Sequence, residues 1–231
     1  MHGKSVPAQE MRALLTARKL LQTKYRDVTM SLRGVLRGFG LKVGSTTPRH
    51  FAARIRELVA GDATLTAIAE ALLAARATLG ALLRDLDKRR RDQARADKRT
   101  RLLMTAPGVG AIVALTFVAA VDDPARFRSS KAVGAHFGLT PKKYQSGETD
   151  ITGRISKIGD ASVRTVLDEA ANVILTRPVT GSALKSWAAR LARRAGLPKA
   201  KVALARTLAV VMHRMLIDET PFDAQRAAAR A

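Results

Sequence analysis

Residues 65–86 read "LTAIAEALLAARATLGALLRDL", and their spacing decides the fold class. Leu65, Leu72, Leu79 and Leu86 recur every seven residues, with Ile68, Ala75 and Leu82 as a companion column, so the stretch predicts a helix with a coiled-coil seam. Upstream, Leu14, Leu21, Val28 and Val35 keep the same interval, with Tyr25, Leu32 and Phe39 between them, which predicts a helix from Pro7 to about Phe39. Gly38, Gly40 and Gly44 end that helix, a short one follows "STTPRHF" as far as Val59, and Asp62 or Thr64 caps the next. Heptads do not disclose whose helix they face. A helical hairpin within one chain and a coiled coil that makes a homo-oligomer both stand.

Downstream of Leu86 the apolar stripe stops. "RDLDKRRRDQARADKRTR" (84–101) is rich in good helix formers, which predicts that the helix continues to about Thr105 with a charged end, either a solvated face or a phosphate contact. From Leu102 the pattern changes to short helices. After "SALKSWAARLARRA" (182–195) a break at "GLP" predicts two further helices, with Trp187 in the core, and then an Ala/Arg tail that frays. The fold class is therefore mostly α: long coiled-coil helices over residues 1–101, then a compact helical domain over 102–231.

Composition points to a partner. The chain of 231 residues carries 41 Lys plus Arg against 19 Asp plus Glu, a net charge of +22, which calls for a polyanion, and nucleic acid fits better than a lipid surface. Aromatic residues are only 4%, which favours helix over sheet, and 47% hydrophobic content is enough for a packed core. There is no cysteine, and His2, His50, His136 and His213 lack metal-ligand spacing, so no metal site is read. No run of about 18 apolar residues occurs, so neither a signal peptide nor a membrane span is expected, and the absence of cysteine fits a reducing, cytoplasmic location.

Two stretches carry chemistry. In "TAPGVGAIVALTF" (105–117), Pro107, Gly108, Val109 and Gly110 form a tight turn before an apolar helix, as in the hairpin of a helix-hairpin-helix element that binds the DNA backbone without reading bases. A plain interhelical turn is the competing reading. In "GLTPKKYQSGETDITGRISKIGD" (138–160), glycines and cations suit a loop that meets a phosphate: Gly147 and Gly153 allow close approach, and Lys142, Lys143, Arg154 and Lys157 supply charge. Arg164, on the following helix, is a further phosphate contact or a solvated arginine. Ser156 and Ser162 read as structural, Ser162 as a cap beside Asp160.

The order Pro-Gly-Val-Gly, "RFRSSKAVGAHFGLTP" (126–141), "QSG" (145–147), "GRISKIGDASVRTVLDEAA" (153–171) and "KAKVALARTLAVVMHRML" (199–216) resembles the C-terminal domain of transposases of the insertion-sequence one-hundred-and-ten family, which includes the pilin-gene inverting recombinases. The likeness covers about residues 102–217, and the heptad region resembles the family's connecting coiled coil. It implies DNA as partner, a guide RNA in some members, and Ser146 as the catalytic nucleophile on a DNA phosphodiester. Serine needs a base or strong electrostatic help, and the four neighbouring cations suit the charge that builds up in the transition state.

The family also implies an N-terminal ribonuclease-H-like domain with four acidic metal ligands. Residues 1–62 hold only Glu10, Asp27, Glu57 and Asp62 as acids, none with strand context. The expectation is a chain lacking that domain, with no cofactor of its own. A divalent metal such as Mg would belong to the missing domain, and the chain alone would be inactive. The alternatives are a non-enzymatic basic helical protein that binds DNA or RNA, and a coiled-coil interaction module whose charge serves solubility.

Overall fold

The computed structural model describes residues 3–177 and 183–224; the frayed tail expected after these lies outside them. Mostly helical as expected, the chain divides into two compact units, Leu14–Arg89 and Met1–Ala13 with Arg90–Ala231.

In the unit Leu14–Arg89 three helices meet: α1 (Val6–Gly38), α2 (Phe51–Val59) and α3 (Ala63–Ala96), the first and last of which continue past the unit's bounds. Arg18 bonds Asp87 at 2.6 Å, Tyr25 faces Gly80, and Arg76 Nε donates to Thr29 Oγ1 at 3.1 Å. Partners rise along one helix as they fall along the other, so α1 and α3 run antiparallel. Asp62 supplies the expected cap, its Oδ1 accepting from Leu65 N at 2.8 Å. Leu32, Leu36, Phe51, Ile55, Val59, Leu65, Ala69 and Leu73 close a small core where all three helices meet.

The inward face of α3 is shifted from the expected one. Leu65 is buried and Leu72, Leu79 and Leu86 half-buried, but the companion column faces out: Ile68 is 41% and Leu82 47% exposed. Its place is taken by Ala69, Arg76 and Leu83, one residue further along. At 3.6 residues per turn, both i+3 and i+4 lie beside i, and the partner decides between them. Here Gly80 admits the Tyr25 ring; a Cβ there would stand 3.3 Å from it. Arg76 is buried with its guanidinium 4.7 Å from the Tyr25 ring centre and 4.5 Å from that of Phe51, two π faces that offset the cost of burying its charge. On α1, Leu36 is buried while Val35 and Phe39 are exposed, for the same reason.

One more expectation about α3 is corrected. The helix stops at Ala96, because Asp97 Oδ2 accepts from Thr100 N at 2.9 Å and starts a separate helix, α4 (Lys98–Leu103). Among the described residues α3 is the one helix long and apolar enough, by length and composition only, to cross a membrane, a test that a core helix of a soluble protein also passes.

The other unit stacks α4, α5 (Ala111–Val121), α6 (Ser130–His136), α7 (Ala161–Thr176), α8 (Ala183–Ala195) and α9 (Leu197–Asp218). The break at "GLP" is as expected: Gly196 has φ 86 and Pro198 sits in the first turn of α9. The long α9 packs against α4, α6, α7 and α8, and its Leu204, Leu208 and Met212 are fully buried with Phe117, Leu167 and Ile174. Trp187 packs partly buried against this core. Between α6 and α7 stands an element not foreseen: an antiparallel hairpin of β1 (Pro141–Ser146) and β2 (Thr149–Ile155).

Candidate nucleic-acid interface

The hairpin turns through Gly147 and Glu148, with Ser146 opposite Thr149. Only Gly147 of the two has positive φ, 56°, as the first central residue of a type II′ turn requires, so the "SG" pair is a hairpin corner. Tyr144 faces Ile151 and Lys143 faces Thr152, and the register slips between Pro141 and Lys143, a bulge opposite Gly153 and Arg154. Strand alternation puts Lys142, Tyr144 and Ser146 on one face and Lys143 with Gln145 on the other. Lys143 pairs with Asp150 at 3.6 Å, both well exposed. Every hairpin residue except Ile155 is exposed. The strands were not legible because they lack the apolar alternation that packing on a core would impose.

Ser146 is thus at the tip. Among the described residues no side chain hydrogen-bonds its Oγ, and no three His, Asp or Glu gather into a metal cluster. The exposed Tyr144 and Ile151, 68% and 59%, are a pair that sequence reasoning passed over.

The feet of the hairpin are locked by glycines. Gly138 has φ 67, and a Cβ on it would stand 2.2 Å from Ile158 O; Gly159 has φ 81, and its Cβ would stand 2.3 Å from His136 O. The "FGLTP" and "SKIGD" segments therefore cross in backbone contact, stitched by Ser156 N to Thr140 O at 2.9 Å and Lys157 N to Gly138 O at 3.1 Å. Lys157 itself holds a φ of 57°. Arg164 Nη1 donates to the carbonyls of Phe137, Ile158 and Gly159 at 3.0–3.2 Å, fastening both feet to α7.

Asp160 caps α7, accepting from Ser162 N at 2.9 Å and Ser162 Oγ at 2.5 Å, and takes Arg12 Nη1 on its other oxygen at 2.5 Å. Burial alone would raise its pKa, but the bonds from Ser162 and Arg12 outweigh that and hold the carboxyl below its ordinary range. An Asp two residues before a Ser at a helix start is a legible cap signal; its partner on α1 is not. Beside it, Lys4 Nζ donates to Ala120 O at 2.6 Å at the end of α5, its pKa lowered by burial and by Arg12 and Arg126.

Underneath, "RFRSSKAVGAHF" folds around Phe127. His136 and His213 meet its ring edge-on at 5.1 and 5.2 Å, and Arg126 lies over it at 4.2 Å. His213 is buried, with Nε2 2.9 Å from Pro124 O and Nδ1 2.9 Å from Ser130 Oγ. A carbonyl only accepts, so Nε2 carries the proton and Nδ1 accepts from the serine. Burial lowers the pKa of both histidines, and Arg126 adds to it in each.

The Pro107–Gly110 turn joins α4 to α5 elsewhere. Gly108 has φ 73 and lies against α7, where a Cβ would stand 2.7 Å from Ala170 O and 2.8 Å from Ile174 Cγ1; Val109 is buried. The turn rests on the far half of α7 from Arg164, about 9 Å or more along the axis at ~1.5 Å per residue. Hence Lys142, Lys143, Ser146, Gly147 and Arg154 share the hairpin, Lys157 and Arg164 its base, and residues 107–110 a separate surface.

Residues 100–185 match the family described as "Transposase IS116/IS110/IS902 family". Over 222 residues the chain is 28% identical to the transposase for insertion sequence element IS1111A of Coxiella burnetii, covering 94% of this chain and 61% of that protein. It is 28% identical to the putative transposase y4pF/y4sB of Sinorhizobium fredii over 80% of this chain and 50% of the relative. A probable family 20 transposase of Pseudomonas aeruginosa is 30% identical over 62% of this chain and 43% of its own length. The chain thus spans about half the length of the curated relatives it matches.

Proposed function

We propose that this chain acts on DNA as the serine-bearing part of an insertion-sequence transposase. The observation that carries the reading is the place of Ser146: within the matched region, on a solvent-exposed hairpin tip fastened to a packed core. Ser146 Oγ attacks a DNA phosphorus and the P–O3′ bond breaks. The 5′ end is held as a phosphoserine, and the 3′ oxygen leaves with a proton. Attack by a second 3′-hydroxyl reverses the step and joins the new strand, so no bond energy is lost. Lys142 shares the serine's face, and Arg154 and Lys157 near the base add charge that favours an approaching phosphate.

The hydroxyl needs a base, and none touches it among the described residues. We place that base, with the acidic ligands of a divalent metal such as Mg, in a ribonuclease-H-like domain outside this chain, so that the chain alone has little or no recombinase activity. A guide RNA, and kinship with the pilin-gene inverting recombinases, extend the same reading. So does a homo-oligomer, for which the outward Leu20, Met30, Ile68 and Leu82 of α1 and α3 offer the apolar surface.

The test is a denaturing gel for a covalent protein–DNA adduct on duplexes carrying element ends. An adduct should form when the acidic domain is supplied, vanish in Ser146→Ala, and be absent with the chain alone. Strand transfer by the chain alone that Ser146→Ala abolishes would sink the claim of dependence, and an adduct that survives Ser146→Ala would sink the nucleophile. The net charge of +22 also favours a second reading, a DNA- or RNA-binding protein without chemistry. It predicts steeply salt-dependent binding and no adduct under any condition.

A further inference from the structure

One face of the unit Arg90–Ala231 carries a groove of about 1890 Å³, between the base of the hairpin, the start of α6 and the length of α9. That is larger than the ~300–1,000 Å³ typical of a small-molecule site. Its walls bear Lys131 from α6, Arg154 from β2, Lys157 from the hairpin foot, and Lys199 and Arg206 from α9. None of these five side chains makes an ion pair or hydrogen bond within the described residues. Arg214 also lines the groove, but Asp218 neutralises it at 2.6 Å, and Asp223 is the one further carboxylate in the lining, against five cations.

Five cations from four segments against one remaining carboxylate leave the groove with a surplus of positive charge, which is self-repelling unless a further anion lies in it. A single phosphate would not need that spread. Lys199 and Arg206 are seven residues apart on one face of α9, about 10 Å along the axis at ~1.5 Å per residue. A DNA strand advances ~3.4 Å of helix axis per phosphate, so that interval spans about three phosphates. Arg206 lies along α6 because Gly134 leaves room: a Cβ there would stand 3.0 Å from Arg206 Cγ. Thr152 lines the groove and pairs with Lys143, three residues short of Ser146, so the tip stands about 10 Å beyond the groove's edge at ~3.3 Å per residue.

We propose that this groove seats the backbone of the DNA strand on which the hairpin acts, with Lys131, Lys199 and Arg206 as positioning contacts to a run of phosphates that begins about three nucleotides from the one that Ser146 attacks. The inference rests on the reading that the chain acts on DNA, but it concerns binding and not cleavage. Trp187, the only tryptophan of the chain, also lines the groove and reports its occupancy.

The test uses the full chain in the Ser146→Ala background, so that no chemistry intervenes, titrated with a short DNA duplex at several salt concentrations. Tryptophan emission should change on binding. Replacing Lys131, Lys199 and Arg206 by Gln should weaken binding about tenfold or more and flatten the log–log salt slope by about 2 to 3, at ~0.9 per lost phosphate contact. A control variant, Lys88, Arg89 and Arg91 to Gln, removes the same charge from α3 and should change the slope by less than about 1. Circular dichroism melts confirm that both variants fold.

The groove is refuted if the first variant keeps the parent's slope, if the control matches its loss, if tryptophan emission ignores saturating DNA, or if poly-glutamate gives the same response as DNA at equal charge. Adduct formation by the Ser146 protein is measured separately. Loss of the adduct with groove binding intact overturns the reaction and not the groove, and the reverse result does the opposite.

Discussion

The hairpin β1–β2 and the helix α9 belong to one unit and are built by opposite rules. In α9 every third or fourth side chain is buried, from Ala200 through Leu204 and Leu208 to Met215, and the helix exists because that stripe has a core to enter. The hairpin buries almost nothing, and two strands without an apolar face are barely stable alone in water. It stands because Gly138, Gly159 and Arg164 fasten its feet. The contrast teaches that the core's stability and the proposed reactive tip rest on different residues, so that the two can be damaged separately.

The largest expected effect is chemical. Ser146→Ala should remove adduct formation altogether while changing stability by less than about 0.5 kcal/mol, as for an exposed substitution, in a urea titration. Next, Leu208→Ala in α9, where the side chain is fully buried, should cost about 2–5 kcal/mol in the same titration without altering the salt slope of the fraction that remains folded. Gly138→Ala follows. It puts a Cβ 2.2 Å from Ile158 O at a positive φ, and should cost about 1–3 kcal/mol locally. Hydrogen exchange should rise at residues 141–155 with little change in α9, and adduct yield should fall; uniform exchange across the unit would mean that hairpin and core open together.

A smaller effect is set by pH. The buried His213 has a pKa below its ordinary value of 6.5, so the native state binds fewer protons than the unfolded one. Stability is then full above about pH 6.5 and falls as pH drops from the unfolded value toward the lowered native one. Denaturation midpoints at pH 7.5, 6 and 5 should decrease in that order, and His213→Gln should flatten the trend. The smallest is Arg12→Ala. Its guanidinium is 41% exposed, so breaking the pair with Asp160 should cost less than about 1 kcal/mol by thermal melt, and less again at high salt.

Much of the helical frame is legible in the residue pattern. The seven-residue interval locates α1 and α3, Asp62 caps where a capping residue is expected, and "GLP" divides α8 from α9. The companion column on α3 lies one residue from its expected place, because helical spacing admits both neighbours and only Tyr25 against Gly80 decides. The cap at Asp97 is hidden in a run of charge. The stretch "GLTPKKYQSGETDITGRISKIGD" has the composition of a loop, since its strands pair with each other and not with a core, leaving no hydrophobic alternation to find. Ser146 stands out in the sequence through its likeness to a family, whereas nothing there marks the groove cations Lys131, Lys199 and Arg206.

The sequence by itself determined composition-level facts: a helical chain, a strong positive charge, and the order of motifs that matches a transposase family. These depend on local periodicity and residue counts, which short-range physics can read. Only the tertiary structure decided which glycines cross, that Arg164 ties down a foot, that His213 is buried against Pro124 and Ser130, and that cations from four segments face one groove. Each of those depends on residues far apart in the chain being brought together, and burial in the shared core is what brings them there.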